Sequence, residues 1–264
     1  MTSSSDLADL INLEACPIED DFFIARTRKA LDEHGAVCLN DFLTSEALSE
    51  MIRTAEDNQH LAFYTSGTHN VYLTPVDDRW PEAHIYNRQI TSSKGCITTD
   101  QIPPSSGLHQ IYSHSAFTHF IASVVGETAI YPYADPLSGI NIHYASEGQE
   151  LGWHFDNSSF AVTLLLQAPE GGGVFEYCRD VRNADKGEMN FEGVDNVVSG
   201  RTSPDILSIN PGTLVLFRGR NSLHRVTPTE GRKTRYLVVL AYNHQPGISL
   251  SENARMTFYG RLGA

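Results

Sequence analysis

The hydrophobic pattern of the chain changes about half-way along its length. In the first half, apolar residues recur at helical spacing from Glu19 to His34 and from Ser45 to about Gln59, which predicts two helices. Gly35 is placed to end the first helix, and Thr44 can cap the second. In the second half the period falls to two, as in Ile140 to Tyr144, which is typical of strands.

A third helix is predicted from His114 to Gly126, with Ser113 as its cap. Runs of strand type follow it, and one precedes it; they are Ala36–Leu39, Trp153–Asp156, Phe160–Gln167, Val174–Cys178, Ile206–Ile209, Thr213–Phe217, Leu223–Val226 and Arg235–Asn243. Turn signals such as Pro211-Gly212 separate these runs. Short strands at this spacing indicate a sandwich or barrel, with the N-terminal helices packed against it as a brace.

Two polar segments interrupt this pattern. Residues 60–107 are predicted to be irregular and have two interpretations. They form either a solvated surface loop or a substrate lid, in which Arg88 pairs with a substrate carboxylate and Tyr86 or Asn87 helps to orient it. Residues 179–204 are predicted to form a mobile flap or a plain linker between strands.

The length of 264 residues suits one domain with one core. Within it we expect a helical and lid region over residues 1–130, a β core over 131–245, and a tail over 246–264 that wraps back. The net charge of −13 argues against nucleic acid as a partner, because a phosphate backbone requires a basic surface.

The cysteines and the ends of the chain bear on its compartment. The four cysteines are scattered and do not suggest a disulfide framework. The first residues lack the features of a signal peptide, and the longest apolar run, Tyr236 to Tyr242, is too short to cross a bilayer. These features predict a cytoplasmic protein that acts on a small molecule without a membrane partner, and they leave a homodimer open.

A candidate metal site comes from three residues in two of the predicted strands. His154 and Asp156 are two residues apart, so an extended strand would point both to one face. One His-x-Asp is expected almost by chance among 11 histidines, but His224 on another strand adds a second imidazole. Two histidines and one carboxylate on one side of a metal leave the other positions open, as non-haem Fe(II) oxygenases require.

Further polar residues lie near this set. Arg235 would supply a bidentate cation for a dicarboxylate, and it is favoured over Arg232, which falls in a predicted turn. Asn141 lies on the strand that leads toward the metal residues. It has two interpretations, as a contact for the dicarboxylate or as a strand polar group bonded to a neighbour. His143 is not expected to bind metal, because no carboxylate follows it at the same spacing.

The residues of this site lie in three longer stretches. They are LGWHFDNS at 151–158, PGTLVLFRGRNSLHRVTPTEGRKTRYLVVLAY at 211–242, and PGISLSENARMTFYGR at 246–261. With these stretches the chain resembles the Fe(II)/2-oxoglutarate-dependent oxygenases from about residue 35 onward. The resemblance is strongest to a small subgroup that hydroxylates or halogenates free amino acids such as lysine.

The resemblance implies a fold, cofactors and roles for individual residues. The fold would be mainly β, a double-stranded β-helix of the jelly-roll, cupin-like type with flanking helices. The cofactors would be Fe(II), 2-oxoglutarate and O2, with His154, Asp156 and His224 as metal ligands and catalytic residues. Arg235, with Asn141 nearby, would hold 2-oxoglutarate. Asn157 would meet the substrate, as an Asp or Asn does at this position in the subgroup.

The implied reaction is hydroxylation of an unactivated C–H bond, with release of succinate and CO2. Halogenation is disfavoured, because related halogenases have a small residue where this chain has Asp156. We expect a small polar substrate such as a free amino acid. The alternatives are a hydroxylase of protein side chains, of the prolyl type, and a non-catalytic jelly-roll binding protein.

Overall fold

The computed structural model describes residues 7–263, so part of the N-terminal segment lies outside the described residues. From residue 21 onward the chain forms six α-helices. They are α1 Asp21–His34, α2 Ser45–Asn58, α3 Gly107–Ser113, α4 Ser115–Val125, α5 Phe191–Val198 and α6 Glu252–Tyr259. None of the described helices is long and apolar enough to cross a membrane.

The first helix ends at His34 as predicted but begins at Asp21 rather than Glu19, and the second matches its predicted bounds to within one residue. Asp20 caps α1 by accepting a hydrogen bond from the Phe23 N–H, and Gly35 ends it with a φ of 72°. Thr44 caps α2 in the same way. The cap predicted at Ser113 is wrong: that residue belongs to α3, and His114 caps α4 through its ring nitrogen.

Fifteen strands form the β structure of the described chain. They are β1 Ala36–Leu39, β2 Phe63–His69, β3 Ile90–Ile97, β4 Tyr131–Pro132, β5 Ile140–Ala145, β6 Leu151–His154, β7 Ala161–Gln167, β8 Gly171–Gly172, β9 Phe175–Cys178, β10 Asp205–Leu207, β11 Leu214–Phe217, β12 Leu223–Val226, β13 Thr229–Glu230, β14 Arg235–Leu240 and β15 Tyr242–Asn243. All of the strand pairs are antiparallel.

Most of these strands belong to two walls, which are joined at β3. The major wall has the order β1-β11-β7-β14-β5-β3, with β2 on the outside of β3. A single pairing, Ser92 with Leu151, joins β3 to the minor wall β6-β12-β9-β10. The expected jelly-roll core with flanking helices is confirmed. However, the sheet begins before residue 131, because β1, β2 and β3 come from the region expected to hold helices and the lid.

The segments expected to be irregular contain regular structure. Residues 60–107 include the hairpin of β2 and β3, which the sequence prediction missed. Residues 179–204 include α5, which packs Val194 and Val197 against Trp153 and Phe155 of the minor wall. Both elements have weak local signals and depend on contacts with distant parts of the chain.

The two faces of the major wall differ in chemistry. On β5 and β14, the side chains of Ile142, Tyr144 and Val238 are fully buried against the helices. The alternate residues, such as His143 and Arg235, point to the inside of the jelly roll. The strands therefore build the helix-packed core with one face and line the interior with the other.

The C-terminal segment closes one end of this structure, as expected of a tail that wraps back. Arg261, after α6, forms a salt bridge with Asp100. Tyr259 is buried, and its hydroxyl donates a hydrogen bond to the side-chain oxygen of Asn141, 2.9 Å away. The tail is thus anchored to the same strand that carries His143.

Candidate active site

Two histidines and one aspartate meet at the open side of the minor wall. His154 ends β6 and pairs directly with His224 of β12, so their rings lie 4.1 Å apart between centroids. The Oδ1 atom of Asp156 is 3.7 Å from Nε2 of His154 and 3.5 Å from Nε2 of His224. One donor atom from each residue lies within 4.8 Å of the other two. The structure therefore brings together the three residues that the sequence indicated.

The backbone fixes which nitrogen of each ring faces the centre. Nδ1 of His154 is 2.8 Å from the carbonyl oxygen of Gly152, and Nδ1 of His224 is 3.0 Å from that of Ser222. A carbonyl oxygen can only accept a hydrogen bond, so both Nδ1 atoms carry the proton. Both Nε2 lone pairs are left free to bind a metal.

Asp156 reaches this position from beyond the end of its strand. β6 ends at His154, so the carboxylate is not held by the extended spacing that the sequence predicted. Its backbone N–H instead donates to the carbonyl oxygen of Gly219, 3.1 Å away. A Cβ atom at Gly219 would lie 1.8 Å from Oδ2 of Asp156, so only glycine leaves room for this carboxylate.

The electrostatics of the three residues fit a metal site. Burial, followed by the neighbouring His224, lowers the pKa of His154 to about 3, so its imidazole is neutral at physiological pH. Burial by itself would raise the pKa of Asp156, but His224 and His154 outweigh it and keep the pKa below its usual value. Two imidazoles and one carboxylate, all on one side, fit the donor set of a non-haem Fe(II) site.

Arg235 lies on the inner face of the major wall. Its side chain is 5% exposed, and burial lowers the pKa of its guanidinium to about 10. Within residues 7–263 it forms neither an ion pair nor a hydrogen bond to a side chain. A buried guanidinium without an acidic partner fits a carboxylate ligand. Arg232 is exposed in the turn, where its backbone N–H donates to Glu170.

Asn141 is buried on the same inner face, but its polar atoms have protein partners. Its amide nitrogen donates to the carbonyl oxygens of Leu137 and Ile140, each 2.9 Å away. Its side-chain oxygen accepts from the Tyr259 hydroxyl. The contacts thus match the structural interpretation of Asn141, and a contact with 2-oxoglutarate stays a prediction.

The two residues expected to meet the substrate lie in different settings. Asn157 is exposed immediately after the metal aspartate, and its carbonyl oxygen accepts from Arg220. Arg88 is bound to α5, where Nη2 lies 2.7 Å from Oδ1 of Asp195 and Nη1 donates to Ser199. As a substrate contact, Arg88 stays a prediction, because its cation is paired within the protein.

The pairing of Arg88 joins the two segments that were candidates for a lid. Around it lies an aromatic lid cluster, formed by Tyr72, Trp80, His84, Tyr86, Phe155 and Phe191. Tyr72 stacks on Phe155 at 5.6 Å, next to the metal residues, and meets Phe191 edge-on at 6.0 Å. The loop after β2 and the segment around α5 therefore form one packed layer beside the site.

Three charged or titratable residues near the site were not assigned a role by the sequence analysis. Lys94 of β3 contacts His143 of β5, and both point to the interior. The guanidinium carbon of Arg182 lies 4.0 Å above the Phe155 ring, and its charge helps to lower the pKa of Asp156. Within β3 only Cys96 and Ile97 are apolar and buried, so the sequence there carries little of the alternation that identifies a strand.

Comparison with known families shows to which family the chain belongs. A family model described as Halogenase D matches residues 18–255. The chain belongs to the halogenase D family. No curated protein matches its sequence.

Solved structures place this halogenase D family member in the fold of the Fe(II)/2-oxoglutarate oxygenases. A 2OG-Fe(II) oxygenase family oxidoreductase from Burkholderia pseudomallei has a TM-score of 0.53 at 16% identity, over 86% of this chain and 93% of that one. EctD from S. alaskensis, solved with 2-oxoglutarate and 5-hydroxyectoine, has a TM-score of 0.55 at 14% identity, over 91% and 84%.

A prolyl hydroxylase from Trichoplax adhaerens, in complex with a hypoxia inducible factor peptide fragment, has a TM-score of 0.51 at 13% identity, over 92% and 94%. Identities this low show the fold alone. The fold expected from the resemblance to the Fe(II)/2-oxoglutarate oxygenases is confirmed. The expected cofactors, Fe(II), 2-oxoglutarate and O2, are those of this superfamily, and the donor set of the chain fits the iron.

Proposed function

We propose that this protein is an Fe(II)- and 2-oxoglutarate-dependent dioxygenase that hydroxylates an unactivated C–H bond of a free amino acid or a similarly small polar molecule. The observation that carries the proposal is the His154, Asp156 and His224 donor set, together with the buried Arg235, which has no acidic partner among residues 7–263. The overall reaction consumes O2 and 2-oxoglutarate and yields the hydroxylated substrate, succinate and CO2.

Each residue of the site has a defined task in this reaction. The two imidazoles and the Asp156 carboxylate would hold Fe(II) from one side, and Arg235 would hold the C5 carboxylate of 2-oxoglutarate. Bound iron supplies the activation of O2, coupled to the oxidative decarboxylation of 2-oxoglutarate. The chain itself orients the ligands through the backbone and excludes water with the lid cluster.

Hydroxylation is proposed over halogenation because of Asp156. With iron bound, the Asp156 carboxylate would take the place that a halide would need, and Gly219 provides the room for that carboxylate. The family takes its name from a halogenase, so the donor set of this chain, rather than the family name, supports hydroxylation.

A small substrate is proposed over a protein side chain because of the lid. The Arg88–Asp195 pair and the lid cluster hold two segments together beside the metal residues. A protein substrate would need an open groove at this point, whereas a free amino acid fits beneath a packed layer. This support concerns size; it does not select one amino acid.

The first experiment is an anaerobic titration of the purified protein with Fe(II) and 2-oxoglutarate. We expect a weak metal-to-ligand charge-transfer band in the visible spectrum, lost in Asp156→Ala and weakened in Arg235→Ala. Arg232→Ala is the matched control, because it removes an exposed arginine from the neighbouring turn. Absence of the band in metal-loaded wild-type protein would favour the non-catalytic binding protein.

The second step screens free amino acids and a proline-containing peptide for succinate release in the presence of chloride. Mass spectrometry of the product then separates the candidate reactions. A gain of one oxygen on an amino acid supports the proposal, whereas a chlorinated product or turnover of the peptide alone contradicts it.

A further inference from the structure

The inner face of the major wall carries a second basic residue, two strands away from Arg235. The strands β14, β5 and β3 are neighbours in the sheet. Arg235 pairs with Ala145 across β14 and β5, and Gly95 pairs with Tyr144 across β3 and β5. Lys94, one residue before Gly95, therefore lies opposite Ala145, level with Arg235 and on the same face.

Lys94 is held by an imidazole and by no acid. Its Nζ atom lies 3.2 Å from Nδ1 and 3.1 Å from Nε2 of His143. A neutral imidazole has one acceptor nitrogen, so this contact uses at most one of the three N–H groups of the ammonium. In the described part of the chain, residues 7–263, Lys94 forms no ion pair. At least two of its donors are available to a ligand.

The surroundings keep His143 in the role of acceptor. Burial, then the charges of Lys94 and Arg235, hold the pKa of His143 well below its ordinary value. A protonated His143 would repel Lys94, whereas the neutral ring can accept its hydrogen bond. His143 is therefore a positioning residue that acts through Lys94.

Two cations without a carboxylate partner are unusual inside this protein. The chain has 32 acidic residues against 19 basic ones, yet none of the acids pairs with Lys94 or Arg235 among the described residues. Asp156 attracts Lys94 at longer range, but it belongs to the metal site. Burial lowers the pKa of Lys94, and an anionic ligand beside its ammonium would offset the cost of keeping the charge there.

We propose that Lys94 is a second anion-binding residue for 2-oxoglutarate and holds its C5 carboxylate together with Arg235. The inference rests on the proposed function. The two oxygens of one carboxylate can accept from the guanidinium of Arg235 and from the ammonium of Lys94 at the same time. The mobile ammonium of Lys94 supplies point-charge attraction, whereas the planar Arg235 supplies a bidentate contact.

The test measures 2-oxoglutarate binding by calorimetry on Mn(II)-loaded protein, which separates binding from turnover. We expect Lys94→Met to raise the dissociation constant by about 10-fold or more, the usual loss for one charge-assisted hydrogen bond. Lys94→Arg should recover part of this loss, and His143→Leu should give a smaller rise. Lys29→Met is the matched control, because Lys29 is exposed on α1.

Circular dichroism and the melting temperature verify that each variant is folded, and Lys94→Gln replaces Lys94→Met if the latter does not fold. Equal affinity for 2-oxoglutarate in wild-type protein and the folded, neutral variant overturns the inference. A rise confined to the KM of the amino acid also overturns it, since Lys94 would then bind the substrate. If the wild-type protein binds no 2-oxoglutarate, the proposed function fails as well.

Discussion

The two faces of the major wall are made from the same strands but serve different ends. On the outer face of β5 and β14, Tyr144 and Val238 are fully buried, and the Tyr144 hydroxyl donates to the carbonyl oxygen of Ala55 in α2. On the inner face, His143 and Arg235 alternate with these residues along the strands, and neither pairs with an acid in the described part of the chain. The polar group of the outer face is paired within the protein, whereas Arg235 on the inner face has no acidic partner among residues 7–263.

Successive residues of a strand point to opposite faces, so in these strands the residues that stabilise the fold alternate with those that line the site. A change on the outer face should act on folding, and a change on the inner face or in the metal site should act on binding. Mutations that leave one property intact while altering the other are the sharpest tests of this separation.

The largest effect is expected on the outer face of the major wall. Leu164 of β7 is fully buried against the helices, so Leu164→Ala should lower the free energy of unfolding by about 2–5 kcal/mol through lost contacts and a cavity. Denaturant titration measures this loss. Calorimetry of the folded variant should return the wild-type affinity for 2-oxoglutarate, and a large change in that affinity would break the separation of the two faces.

A smaller effect, confined to binding, is expected at Gly219. A Cβ atom at this position would collide with Oδ2 of Asp156, so Gly219→Ala should displace the carboxylate and weaken metal affinity by about 10–100-fold. Titration with Co(II), followed by absorption, measures the loss. Gly67→Ala is the control, because a Cβ atom there meets nothing within 4 Å. Equal Co(II) affinity in both variants would mean that Asp156 moves freely.

The smallest effect concerns pH and His143. The folded-state pKa of His143 lies well below that of the unfolded chain, about 6.5, so acid favours the unfolded state, which binds the proton. The stabilising contribution is complete above pH 6.5 and is lost as the pH falls toward the folded-state pKa, by up to about 1.4 kcal/mol per pH unit.

Urea unfolding of metal-free protein at several pH values measures this slope. His143→Leu should flatten it below pH 6.5, whereas His60→Gln, which changes an exposed histidine, should not. If both variants follow the wild-type curve, then proton uptake by His143 does not contribute to the pH dependence of unfolding.

The sequence predicted the parts of the molecule whose signals are local. Thr44 and Gly35 bound their helices as expected because capping depends on neighbouring residues. The meeting of His154 and His224 was also anticipated, from the His-x-Asp spacing and a second histidine on another strand; their direct strand pairing was not. Arg235 was placed correctly inside its strand because that strand is strongly apolar.

The missed parts depend on contacts between distant residues. The β2–β3 hairpin is rich in Thr, Ser and Gly, so its strands lack the apolar alternation that identifies β5. Because β3 was not predicted, the inward position of Lys94 was not predicted either. The helix α5 contains Gly193 and several β-branched residues, and it is stabilised by packing onto Trp153 and Phe155. Likewise, only the folded chain shows that Gly219 makes room for Asp156.

The two histidines of the metal site are oriented by main-chain acceptors and not by side chains. Each Nδ1–H is received by a main-chain carbonyl two residues earlier in the chain, at Gly152 and Ser222. Every amino acid carries such a carbonyl, so no substitution at these two positions deletes the acceptor. The orientation of the two ligands therefore depends on the path of the main chain and not on an acceptor side chain, so changes of side chain elsewhere in the pocket leave the tautomer that binds metal in place.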